Sequence, residues 1–480
     1  MHPLTKTNFL AYLACPEELW LEKNLAEYQN IAPTPDVLFQ MEQGNQIDRL
    51  GADYLEQVVF PGRLEAGVQV DRQRKFITER FEARADVTVE HPSSGIIDIY
   101  EVKSSTKVKD EHLVDVAFQR MVMEAAGHRV GACYLVHTNK DYRRKEEVDL
   151  SVFFKTEEIT AEVDTLFTQV QTQAREASDF INGPVPEPRL LPHCPNKLDC
   201  AFVQHHFTDL PDYSIFDVSR LGKKKKAELL DQGILDIREV PADFPLSDKQ
   251  TFQVDLARRA AIHIDHTAIR KELEDLNYPL YFLDYETLAT AVPLQAGHHP
   301  HQQMLFQYSL HVVRAPGAEV QHYEYLLPDQ QASIQELLSS LTTQIPLDGG
   351  SVMVWNKRFE KGINRAYAKI YPEYADSLLS INERIYDLMD VFSKGYYRHP
   401  GFKGKNSLKN ILPVLCPDLS YTPLHIRKGT EANVTWYHWT NGEYRGEERD
   451  FIRQALLDYC KLDTWAMVRI WEVLWDNLSS

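Results

Sequence analysis

An acid and a base two residues apart, Glu101 and Lys103, lie in Ile99-Tyr100-Glu101-Val102-Lys103, where apolar or aromatic residues alternate with charged ones. Such alternation is strand periodicity, so Tyr100 and Val102 are expected to face a core while Glu101 and Lys103 leave from the other face. A carboxylate beside an ammonium suits holding a divalent metal and activating a water next to it. By itself the triplet says little, because ordinary composition yields roughly one or two in a chain this long. Its neighbours give it meaning. Asp86 stands in Arg84-Ala85-Asp86-Val87-Thr88-Val89, an earlier strand leading through the turn Pro92-Ser93-Ser94-Gly95, and a helix expected from about Asp110 carries Asp115 and Gln119.

A second set of acids lies far downstream. In residues 278–287 an apolar strand carries Asp284 and Glu286, which the period of two puts on one face. Two carboxylates so close repel one another unless a proton or a cation intervenes. Another apolar run, from Ser351, leads into Asn356-Lys357-Arg358-Phe359-Glu360, with Asp387 and Asp390 as competing acids nearby. Near the end, Tyr459 and Asp463 are four apart in a strongly helical segment and share a face.

These residues need scaffolds, and the chain is long enough for them. At 480 residues it should form two or three domains, each with its own core. The expected fold class is α/β, with domains at 1–210 and 271–480 joined by a small helical connector over 211–270. Composition, 43% hydrophobic and 25% charged, is that of an ordinary globular protein. Neither a long apolar run nor a signal-peptide pattern is present, which points to a cytoplasmic protein without membrane contact. A formal charge of −18 argues against wrapping a duplex but leaves room for a narrow basic channel that threads a single strand. Six cysteines in this length do not make a disulfide scaffold.

The connector holds Lys223, Lys224, Lys225 and Lys226, followed by Gly233-Ile234, and has a helix–hairpin–helix flavour. Contact with a nucleic-acid backbone and a solvated helix face are equal alternatives for it. Cys15 ends a short opening helix for which Thr5 or Thr7 would serve as N-cap, and Cys194 and Cys200 lie in a polar segment with His206. Cys133, in an apolar strand, reads as core, and residues 151–185 read as helical. Asp48, in the helix opened by residues 41–48, reads as a solvated carboxylate, with metal ligation as the alternative.

The first constellation resembles the PD-(D/E)XK nuclease core, specifically its RecB-like exonuclease branch. The resemblance implies that Asp86 and Glu101 bind Mg²⁺ or Mn²⁺, that Lys103 orients the attacking water, and that Gln119 is the glutamine of the following helix. Met123 stands where the branch often has tyrosine, and Asp48 where it has histidine. Cys15, Cys194, Cys200 and His206 resemble the clasp of this branch, which implies a [4Fe–4S] cluster with a histidine replacing one cysteine, although three cysteines and a histidine also suit structural Zn²⁺.

The second constellation resembles the DEDD exonucleases of RNase H-like fold. Asp284, Glu286, Glu360 (in place of the usual aspartate) and Asp463 would then be metal ligands, and Tyr459 would position water. Residues 404–412 also resemble these enzymes, in which an S-L-K segment opens a helix. The order of the two resembles bacterial fusions of a RecB-like nuclease with an uncharacterised RNase H-like domain. The implied function is a metal-dependent exonuclease with two sites and single-stranded DNA as its preferred partner. An RNA 3′–5′ exonuclease, or a nucleic-acid-binding scaffold with degenerate sites, is the alternative.

Overall fold

The computed structural model describes residues 3–29, 33–61, 67–194 and 200–478. It is an α/β protein with mixed sheets, and divides into two compact units: Met1–Arg189 with Ala289–Gln302, and Leu190–Leu288 with Gln303–Ser480. Residues 211–270 fall within the second unit.

The first unit begins with strand β1 (Leu4–Thr5) and helix α1 (Lys6–Ala14), whose first turn is closed by the Thr5 hydroxyl accepting from the Asn8 amide. Helix α2 (Pro35–Tyr54) starts on a proline, whose missing N–H costs nothing there. Strands β2 (Gln69–Ile77), β3 (Phe81–His91) and β4 (Ile96–Lys103) form an antiparallel meander. Helix α3 (Asp110–Ala125) crosses over to β5 (Arg129–Thr138), which pairs parallel to β4. Strand β6 (Phe154–Glu158) and helix α4 (Thr160–Ile181) follow, and Ala291 and Val292 of the later segment join the core of this unit. The expected continuous helix over 151–185 is therefore interrupted by a strand: β6 pairs with β5, and the 3.6 period holds in α4 alone, through buried Val163, Val170, Ala174, Ala177 and Ile181.

Both faces of this sheet are covered. One core gathers Phe9, Ile99, Phe118, Cys133 and the apolar face of α4. The other gathers Ile47, Leu55, Tyr100, Val102 and Val136. The expectation that Glu101 leaves from an open face is corrected here, since Glu101 is 0% exposed. Helices on both sides of a partly parallel sheet remove the solvent face that simple alternation implies. Helix α2 lies so close that a Cβ on Gly51 would be 2.5 Å from Val102 Cγ1.

In the second unit, helices α5 (Lys223–Asp231) and α6 (Asp248–Arg259) precede strand β7 (His263–Ile264). A five-stranded sheet follows, built from β8 (Leu280–Ala289), β9 (Gln303–Val313), β10 (Gln321–Leu326), β11 (Val352–Val354) and β12 (Ile385–Asp387), in the order β10-β9-β8-β11-β12. Strand β8 is thus interior and parallel to β11. Helix α7 (Lys357–Ile370) leaves β11, strand β13 (Tyr397–Arg398) pairs with β7, and helix α8 (Leu408–Leu415) starts after Ser407. The long helix α9 (Gly446–Asp476) is fastened to β9 through Thr464, whose hydroxyl lies 2.8 Å from both Ser309 Oγ and His311 Nδ1.

Candidate functional site

In the first unit, the β3–β4 register sets Val87 opposite Tyr100, and Asp86 Oδ2 accepts from the Val102 amide at 2.9 Å. Asp86 Oδ1 accepts from Gln73 Nε2 at 3.1 Å. Lys103 Nζ donates to Glu101 Oε1 at 2.6 Å and to Asp115 Oδ2 at 2.7 Å. Gln119 Nε2, one turn beyond Asp115 on α3, donates to Glu101 Oε2 at 2.7 Å and to Asp115 Oδ1 at 3.0 Å. Glu101, Lys103 and Gln119 are therefore drawn into one buried cluster, with Asp86 beside it on the neighbouring strand. Met123 is fully buried in the core.

Asp115, which the sequence already placed on this helix, joins the cluster because it precedes Gln119 by one helical turn. One further member went unrecognised in the sequence. Lys6 has no such signal: from the first turn of α1 its Nζ donates to Glu101 Oε1 at 2.7 Å. Burial opposes the charge on Glu101, but the ammoniums of Lys103 and Lys6 outweigh it and hold the carboxyl well below its usual range. Burial and the Glu101 charge push Asp86 and Asp115 upward. Asp48 is partly exposed, and partial burial with the charge of Glu101 raises it to about 6. The donors suit a hard cation, although a cation bound at Glu101 would have to share it with both ammoniums.

In the second unit, β8 presents Asp284 and Glu286, and α9 presents Tyr459, Cys460 and Asp463. Cys460 Sγ lies 3.8 Å from Asp284 Oδ2, and the ligand atoms of Asp284, Glu286 and Cys460 all fall within 4.8 Å of one another. The Tyr421 hydroxyl donates to Asp463 Oδ1, and Lys409 Nζ donates to the Tyr459 hydroxyl at 3.1 Å. A Cβ on Gly429 would sit 3.8 Å from both Glu286 Oε2 and the Tyr459 hydroxyl. Asp284, Trp355, Ser407, Lys409, Tyr459 and Asp463 line a cavity of about 210 Å³.

Glu360 is 1% exposed, and its Oε2 has no hydrogen-bond partner among the described residues. The rival acids are engaged in structure. Asp387 accepts from the Asn356, Lys357 and Met389 amides and so caps the start of α7, while Asp390 pairs with Lys357 at 2.7 Å. Burial and the charge of Asp463 raise Asp284, and burial with Asp284 and Asp463 raises Glu286. Burial pushes Asp463 to about 6 against the opposing Tyr421 hydrogen bond. Sequence reasoning missed Tyr421, Lys409 and Cys460. Lys409 was within reach through Ser407-Leu408-Lys409, whereas Tyr421 belongs to an irregular segment with no periodicity to flag it.

Asp284, Glu286 and Cys460 stand close enough together to share one cation, and the charge of Asp463 acts on both acids while that of Asp284 acts on Glu360. Burial and then Asp284 raise Glu360 from an ordinary 4.5 to about 9. Between those values the folded chain keeps a proton that the unfolded chain has lost, so stability falls as pH rises. In chelator, stability should therefore fall by about 4 kcal/mol from about pH 6 to about pH 9, read as a falling Tm, and Glu360→Gln should remove most of that fall. A pH profile identical in the variant would show that Glu360 is charged and compensated in the fold.

Of the proposed clasp, Cys15 belongs to the first unit, and Cys194, Cys200 and His206 belong to the second; residues 195–199 lie outside the described residues. Cys194 Sγ accepts from the Leu191 amide at 3.2 Å. Lys223 and Lys224 on α5 are exposed, and Lys226 lies over the Phe216 ring at 5.4 Å.

A family model described as "Domain of unknown function (DUF2779)" matches residues 281–407, which begin within β8 and end at Ser407. No curated protein matches the chain.

Proposed function

We propose that the chain is a divalent-metal-dependent nuclease acting on single-stranded nucleic acid, DNA in preference to RNA, and that its principal site lies in the second unit. The observation that carries this reading is that Asp284 and Glu286 meet Cys460 at ligand distance, that Asp284 and Asp463 line one cavity, and that the Asp284 charge reaches the unpartnered Glu360. Packing several buried acids together is unfavourable without a compensating cation. A divalent cation held by Asp284, Glu286, Glu360 and Asp463 would act as a Lewis acid toward water and the phosphodiester.

The chain's own groups do the rest. Tyr459, held by Lys409, presents a hydroxyl at the cavity to orient water, and burial keeps that phenol protonated and able to donate. Tyr421 fixes the rotamer of Asp463, so the carboxylate is set before substrate arrives. The same assignment for the first unit gives metal-ligand roles to Asp86 and Glu101, with Lys103 at the water and Gln119 as the glutamine of its helix. For that unit a second reading has support of its own: Lys6 and Lys103 already neutralise Glu101 and Asp115, as in a structural ion cluster. The test is release of nucleotides from labelled single-stranded DNA and RNA in Mg²⁺ or Mn²⁺ against a chelator control. No cleavage of either strand with either metal would end the nuclease reading.

We also propose that Cys194, Cys200 and His206 of the second unit hold a metal, [4Fe–4S] in preference to Zn²⁺. The amide donated to Cys194 Sγ is the kind of contact that a metal thiolate uses. Protein purified without oxygen should show a broad band near about 400 nm that Cys200→Ser removes. Colourless protein containing stoichiometric zinc would transfer the assignment to Zn²⁺.

A further inference from the structure

A second cavity in the second unit, of about 340 Å³, lies between α6, the segment before α5, and the residues following β13. Its charged lining is of one sign: Arg220, Lys249, Arg398 and Lys405 face it beside a neutral His399, and among the described residues no carboxylate lines it. In a chain with 70 acidic and 52 basic side chains this is an unusual concentration. Among the described residues, Arg220, Lys249, Arg398 and Lys405 make no ion pair. Arg398 is half-buried, stacks over the Phe252 ring at 5.2 Å, and has an Nε with no hydrogen-bond partner among the described residues. Burial lowers its affinity for its proton, the mark of a desolvated cation without a counter-ion.

The walls are tied together by hydrogen bonds and close packing. Gln253 donates from Nε2 to the Tyr213 hydroxyl at 2.8 Å and to Asp217 O at 3.0 Å. The loop carrying Lys405 fits against it only because residue 404 is glycine: its φ is +69°, and a Cβ there would be 2.3 Å from Gln253 Nε2. Phe392, Tyr397 and Phe402 form an aromatic wall with ring centroids 5.6–6.0 Å apart. The linings of this cavity and of the carboxylate cavity adjoin. Asn406 lines the former, and its carbonyl accepts from Trp355 Nε1 at 3.0 Å, while Trp355 and Ser407 line the catalytic cavity.

We propose that this cavity binds a phosphodiester unit of a single strand whose adjoining nucleotide occupies the carboxylate site. The inference rests on the nuclease reading for the direction of the strand, and on its own residues for the ligand class. An apolar wall with unpaired guanidinium and ammonium groups favours an anion with an organic body, and the volume exceeds what a bare phosphate fills. The backbone phosphate is shared chemistry, so DNA and RNA are separate arms of the test.

Anisotropy of labelled dT15 and rU15 with the full chain in chelator measures binding without cleavage. Arg398→Gln, and the rim pair Arg220→Glu with Lys249→Glu in case the first variant folds poorly, should each weaken binding by at least about tenfold. Each should also reduce the salt slope by about 0.7 per lost phosphate contact. Tighter binding of dT15 than rU15 assigns the site to DNA, and the reverse to RNA. Binding within twofold of the unaltered chain in a folded variant would overturn the proposal, as would equal competition by inorganic phosphate and by oligonucleotide at the same phosphate concentration. If the unaltered chain binds the oligonucleotides but cleaves neither, the nuclease reading fails while the comparison among variants still decides this one.

Discussion

Asp284→Asn should lower metal-dependent release of nucleotides by about 10³-fold, the loss of several kcal/mol of transition-state stabilisation. The substitution keeps size and shape, so its effect isolates charge. Asp284 sits on the interior strand β8, within ligand distance of Glu286 and Cys460, and its charge adds to the raising of Glu360. Removing that charge weakens cation binding and at the same time relieves repulsion among the remaining acids. The variant should therefore be at least as stable as the original chain in chelator, while gaining less from added Mg²⁺ or Mn²⁺. Thermal melts with and without metal read both effects. Undiminished hydrolysis in a folded Asp284→Asn protein would move the activity away from this site.

Glu101→Gln should act through stability first. The Glu101 carboxylate is fully buried and accepts from Lys6, Lys103 and Gln119. Neutralising it leaves two sheltered ammoniums to share Asp115, and breaking a buried pair in this way costs roughly 3–5 kcal/mol. The Lys6→Met, Glu101→Gln double variant should recover part of that loss, because it removes one of the stranded cations, and a double-mutant cycle in urea measures the coupling. Hydrolysis measured on the same proteins separates the two readings of the first unit. If hydrolysis falls in both the single and the stabilised double variant, Glu101 serves chemistry; if it survives, the cluster is structural.

How much was legible beforehand follows from how each signal is encoded. Strand alternation placed Asp86, Glu101 and Lys103 on neighbouring strands, and helical spacing placed Gln119 behind them, because both depend on residues adjacent along one element. Likewise Asp284 and Glu286 on one strand, and Tyr459 and Asp463 on one helix, follow from local periods of two and 3.6. The helix start after Ser407 was expected from the resemblance of residues 404–412 to the DEDD enzymes, and it is present.

The burial of Glu101 was not legible, because whether the second face of a sheet is covered depends on helices that arrive from elsewhere in the chain. Nor was Lys6, whose partner is 95 residues away, nor Tyr421, which meets Asp463 across 42 residues from an irregular segment. What separates Glu360, Asp387 and Asp390 is likewise visible only in space: Asp387 accepts from the amides at the start of α7 and Asp390 pairs with Lys357, while Glu360 Oε2 has no hydrogen-bond partner among the described residues. Sequence alone determined which side chains share an element and a face, since that is backbone periodicity. Tertiary structure decided which of them lose water and which charges they meet, since desolvation and Coulomb energy depend on distance in space.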